Sequence, residues 1–219
     1  DFTAAFVRVF DGDRWYYSAV SEVGSIQREL DALASAARPR PDIDGHPVVR
    51  RLEANVGDFE AFAGISVSGV DPSDKHELLR RSFSPLSDRS LVKSWRGAYM
   101  DRHTRKQVLS SKGADLRFDT QTTGLFVMFE LSDGDMRFRE MEFDGTTAFG
   151  ELESLEGKLS ARLDRSERFL REARPVDPGE YTVILSPFAA GIFAHESFGH
   201  KGEADFMMGD EAMMREWAI

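Results

Sequence analysis

Between residues 91 and 144 the pattern of apolar and polar side chains changes to a period of two, in "LVKSWRGAYMD", "KQVLSSKGADLRFDTQ" and "GLFVMFELSDGDMRFREMEF". A period of two sends successive side chains to opposite faces of an extended strand, so this stretch builds a sheet with one face turned to a core. The turn signal "SDGD" between two alternating runs marks a hairpin within an antiparallel meander. The basic cluster "MDRHTRKQ" at 100–107 reads as a solvated hairpin tip of the same meander. One face of such a sheet needs cover. The segment "ELESLEGKLSARLDRSERFLREA" supplies it, because Leu152, Leu155, Leu159, Leu163 and Leu170 fall on one stripe of a helix.

The flanking segments add elements of both kinds. "DFTAAFVRVFDGDRWYYSAV" alternates on each side of "DGD" and reads as a β-hairpin. Val23, Ile26, Leu30, Leu33 and Ala37 then recur at helical spacing, and Pro39 stops the helix. Residues 38–58 are rich in proline and glycine and read as mostly loop. "FAGISVSGVDPSDKHELLRRSF" reads as a short strand, a turn at "DPSD" and a helix to about residue 84. After Pro175 and the turn "DPGE", "YTVILS" reads as a buried strand, and "PFAAGIFAHESFGH" as a helix with Pro187 in its first turn. The expected fold class is α+β: a mixed or antiparallel sheet covered by amphipathic helices, ending in a helix that carries H-E-x-x-x-H. The expected organisation is one domain over 1–219, with a motif-bearing strand and helix at 180–205.

The chain has 219 residues, 41% hydrophobic and 30% charged, enough for a core of ordinary size. Its 38 acidic and 28 basic residues give a formal charge of −10, which repels a phosphate backbone and argues against direct binding of nucleic acid. No apolar run approaches the roughly 20 residues needed to span a bilayer. The expectation is no membrane association and a cytoplasmic location. The absence of cysteine removes disulfides and thiolate metal ligands alike.

Chemistry concentrates in "HESFGHKGEAD" at 195–205. On a regular helix each residue advances about 100°, so histidines five apart diverge by roughly 140° and cannot share an ion. A π-bulge, or a helix that bends between them, would bring His195 and His200 to one face, and Gly199 makes either distortion cheaper. Neutral imidazoles are good zinc ligands, and Glu196 beside the first can act as general base on a water that the ion activates. Two ligands are too few for zinc, and Glu203 and Asp205, with Asp210 and Glu211, follow as candidates for a third ligand. Glu203 and Asp205 can equally orient a histidine from behind. The same residues also describe a helix with two surface histidines. His46, His76 and His103 read as ordinary surface histidines, and Met207, Met208, Met213 and Met214 as fillers of a core or interface.

"VILSPFAAGIFAHESFGHKGEAD" resembles the metal-binding segment of the TldD/PmbA family, the modulators of DNA gyrase, at Ser186, Pro187, His195, Glu196, Gly199, His200, Glu203 and Asp205. "AFVRVFDGDRWYYSAV" looks like the family's opening hairpin, and "VLSSKGADLRFDTQTTGLFVMF" like its strands around Gly113. The resemblance implies a TldD-type zinc metallopeptidase acting on peptides or unfolded segments. His195 and His200 would be its ligands and Glu196 its base. It further implies a homodimer, or a heterodimer with a PmbA-like subunit. The family's third ligand is a cysteine in a C-terminal β-rich domain, and this chain has none. The expectation is therefore the N-terminal portion of a longer enzyme, with the β-rich domain absent and the chain inactive alone. The alternative is a non-catalytic module for dimerisation and peptide binding, without metal.

Overall fold

One long strand organises the sheet. The computed structural model describes residues 2–203 and Arg215, and clusters the chain into two units, 1–173 and 174–219. Within the first unit, β4 (Val92–Leu109) and β5 (Asp115–Asp133) pair antiparallel along their whole length, and β6 (Met136–Thr146) returns along the second half of β5. Asp133 faces Met136 across a two-residue turn with Gly134 at φ +59, the first-position positive φ of a type II′ hairpin. The first half of β5 takes β3 (Val56–Phe59) as a parallel neighbour, which makes the sheet mixed. The opening hairpin, β1 (Ala5–Phe10) and β2 (Trp15–Val20), is a sheet of its own, and α1 (Ile26–Ala36) packs on it. The side chain of Asp11 ties its turn by accepting from the amides of Asp13 and Arg14, and also from that of Arg38 beyond α1.

The covered face of the long hairpin divides in two. Leu125, Val127, Phe129 and Leu131, alternate residues of β5, are buried with Leu155, Leu159, Leu163 and Leu170 of the expected leucine stripe. That stripe belongs to α4 (Glu156–Glu172) and its N-cap, and α3 (Pro72–Phe83) adds Leu78 and Phe83 to the same core. The buried Ser82 hydroxyl at the end of α3 accepts from the Leu155 amide, and so caps the start of α4. Gly97 on β4 lets Phe83 lie against the sheet, since a Cβ there would meet the ring at 2.1 Å. The other half of this face is polar: Asp119, Gln121 and Thr123 are buried on β5.

Several expectations need correction. "MDRHTRKQ" is the middle of β4, and the tip lies at 110–114, where Gly113 has φ +93. The strand expected in "FAGISVSG" is replaced by two 3₁₀ turns, Ala63–Ile65 and Val67–Gly69, and the Ser66 hydroxyl caps the second by accepting from the Ser68 amide. "DPSD" is the start of α3, with Asp71 as N-cap accepting from the Ser73 amide and Pro72 in the first turn. "YTVILS" pairs with no strand among the described residues and is exposed, Ile184 at 93%. The loop expected over 38–58 also holds α2 (Pro47–Arg50) and the first residues of β3. Among the described residues no helix is long and apolar enough to cross a membrane.

Candidate metal centre

The second unit carries the histidine motif. Ser186 accepts from the Ala189 amide at 3.2 Å and Pro187 occupies the first turn, so α5 (Pro187–Ala194) starts where its cap residues dictate. The helix then widens into one π turn, His195–Gly199, in which the His200 amide donates to the carbonyl of His195 five residues back. This is one of the two distortions that can bring histidines five apart to one face. Ser197 donates to the Phe193 carbonyl at 2.6 Å, holding its polar atom along the helix. A 3₁₀ turn, His200–Gly202, closes the segment.

The π turn brings the two imidazoles to one side, with ring centroids 4.5 Å apart and planes at 65°. Each of His195, Glu196 and His200 offers a ligand atom, and these atoms lie within 4.8 Å of one another. Among the described residues these three side chains stand close enough together that they could hold a metal ion. Glu196 Oε2 is 3.6 Å from His200 Nε2, and Glu203 Oε1 is 2.8 Å from His200 Nδ1. Both histidines and both glutamates are open enough to meet a ligand, with His195 and Glu196 exposed and His200 half-buried. Gly199 has φ −58 and ψ −51, a conformation open to any residue, and a Cβ there would rest 3.6 Å from His195 Nδ1. Asp205, Asp210, Glu211 and the four methionines after residue 206 lie outside the described residues.

A second polar constellation escaped the sequence reading. His103, expected at the surface, has a side chain only 5% exposed; its Nε2 is 2.9 Å from Asp119 Oδ2 and its Nδ1 is 2.8 Å from Ser66 Oγ. Donation from Nε2 to the carboxylate leaves Nδ1 of the neutral ring to accept the Ser66 hydroxyl. Asp119 also accepts from the amides of Ala61 and Phe62. Burial pushes its pKa up, but the His103 contact and the two amides outweigh it and hold the carboxyl below its ordinary value. Serine, histidine and aspartate in a chain suggest a nucleophile, yet the amides flanking Ser66 are already committed. The Val67 amide donates to Gln121 and the Ser68 amide to Ser66 Oγ itself, so neither is turned toward a reacting oxygen. The constellation pins residues 61–68 onto the sheet. Its signal was parity: Tyr99, Asp101 and His103 share the inward face of β4 once the strand is carried past residue 100.

Proteins named metalloproteases are similar to this chain. One from Methanocaldococcus jannaschii is 23% identical over 217 residues, covering 96% of this chain and 47% of the relative. One from Methanothermobacter thermautotrophicus is 27% identical over 215 residues, covering 95% and 45%. A zinc metalloprotease TldD homolog of Saccharolobus solfataricus is 28% identical over 116 residues, covering 52% and 26%. The chain thus spans about half the length of the first two curated relatives or less. In three dimensions it shares its fold with a Bacteroides thetaiotaomicron protein whose name links it to modulation of DNA gyrase, with TM-score 0.59 and 16% identity over 90% of this chain and 50% of the other. No family model matches. These relatives bear out the resemblance to the TldD/PmbA family, and the helices and mixed sheet of the chain itself bear out the α+β class.

Proposed function

We propose that this chain is the N-terminal part of a TldD-type zinc peptidase that hydrolyses small or unfolded peptides. The observation that carries the reading is the π turn: it converts a spacing unsuited to a regular helix into two convergent imidazoles with a carboxylate beside them. The relatives named metalloproteases support the same reaction class, and the name of the third supports zinc. The donor set fits that ion, since imidazole nitrogen and carboxylate oxygen are ordinary zinc ligands. When bound, zinc would supply Lewis acidity, activating water and polarising the scissile carbonyl.

His195 and His200 hold the ion in this reading, and Glu196 moves the proton. Its carboxylate takes a proton from the attacking water and delivers it to the leaving amine. The third ligand, which the family resemblance assigns to a cysteine, comes from outside these residues, as the chain has no cysteine. Assembly as a homodimer or with a PmbA-like subunit, and a cytoplasmic location, belong to the same proposal. Replacing Glu196 with glutamine in the zinc-loaded full-length protein is expected to lower peptide hydrolysis by about 10²–10⁴-fold with zinc content unchanged. Turnover at the wild-type rate would remove Glu196 as the base. Equal zinc in wild type and His195→Ala, measured by mass spectrometry, would remove the metal site itself.

A further inference from the structure

We infer that Glu203 is a positioning residue, and not a ligand: it fixes the tautomer of His200 so that Nε2, not Nδ1, faces the ion. The inference rests on the metal site proposed above and assigns a task within it. His200 and Glu203 stand at the two ends of a 3₁₀ turn, where residues three apart are stacked nearly in line. The turn is closed by the Glu203 amide donating to the His200 carbonyl at 3.1 Å, and the side chain folds back to place Oε1 2.8 Å from Nδ1. The amide thus ties Glu203 to the backbone of His200 and the carboxylate to its ring.

The other ring nitrogen looks elsewhere. Nε2 is the atom 3.6 Å from the Glu196 carboxylate, so it lies on the side of the candidate base. The group of convergent ligand atoms comprises His195, Glu196 and His200, and Glu203 is outside it. A carboxylate that accepts Nδ1–H keeps the proton on that nitrogen and leaves the Nε2 lone pair for a metal. It also makes the ring a more basic ligand. Had Glu203 been the third ligand, its oxygen would have to leave Nδ1 and cross to the far side of the ring.

The test uses this chain with zinc and a chromophoric chelator as competitor, beside ¹⁵N NMR of His200 in metal-free protein at mildly alkaline pH. Glu203→Ala is expected to weaken zinc binding about 10–100-fold and to lose the Nδ1–H signature. Glu203→Gln is expected to keep both, because its amide oxygen accepts the same hydrogen bond. Equal losses in the alanine and glutamine variants would overturn the proposal by making the carboxylate a ligand. Wild-type affinity in Glu203→Ala, while His195→Ala is weakened, would overturn it as well. Unweakened binding by His195→Ala would instead overturn the metal site, and the NMR signature would still decide the tautomer.

Discussion

Asp119 holds together residues far apart in sequence: the amides of Ala61 and Phe62, and the ring of His103. A buried carboxylate with these partners is costly to remove, since three donors are then left without an acceptor. Asp119→Ala is expected to release the segment around residue 61 before the sheet itself opens. Amide exchange would show this as lost protection at Ala61, Phe62 and Val67 with protection kept at Val127 and Phe129. Uniform loss would mean that the pin and the core are one cooperative unit. Nothing local in the sequence announces the contact, because Ser66 and Asp119 lie 37 and 16 positions from His103. Strand register and a folded-back loop bring them together.

At the scale of elements, strong periodicity proved legible and short or charged segments did not. The alternation after residue 91 and the leucine stripe predict β4, β5, β6 and α4, and the signal is strongest in β5 and α4, each of which buries one face along many residues. β3 has four residues and no pattern, and its place is set by a parallel neighbour that arrives later in the chain. "YTVILS" has a strand's composition, but composition cannot supply a pairing partner. In the histidine motif, helical geometry pointed to a π turn or a bend if the two rings were to meet, and the π turn is the one that forms, whereas the part expected of Gly199 depends on backbone angles that a sequence does not display. Those angles are ordinary, so Gly199→Ala is expected to leave zinc affinity within about threefold of wild type. Competition titration would check this. A loss of tenfold or more would show that the segment passes through a conformation that needs glycine.

The whole molecule should be acid-labile, for a reason that two of its buried carboxylates make explicit. Asp11 is held far below the ordinary range by the Arg14 and Asp13 amides, and further by Arg38 and Tyr16, against the opposing effect of burial. Asp119 is lowered as well. Groups with depressed folded pKa values bind protons first in the unfolded chain, so their stabilisation is complete only above about pH 5 and is lost progressively as the pH falls below it. Denaturant midpoints between about pH 6 and 3 are expected to fall, and Asp11→Asn with Asp119→Asn to flatten that slope. An unchanged slope would place the lability elsewhere. The polar half of the covered face has one more consequence, for alignment. A slip of β5 by two residues against β4 would keep every side chain on its proper face and cost the leucine core little pattern. It would, however, carry Asp119 away from His103 and Gln121 away from Val67. A ladder of threonines and aliphatics could settle in several neighbouring positions, and these few buried polar atoms act as the notches that leave it one.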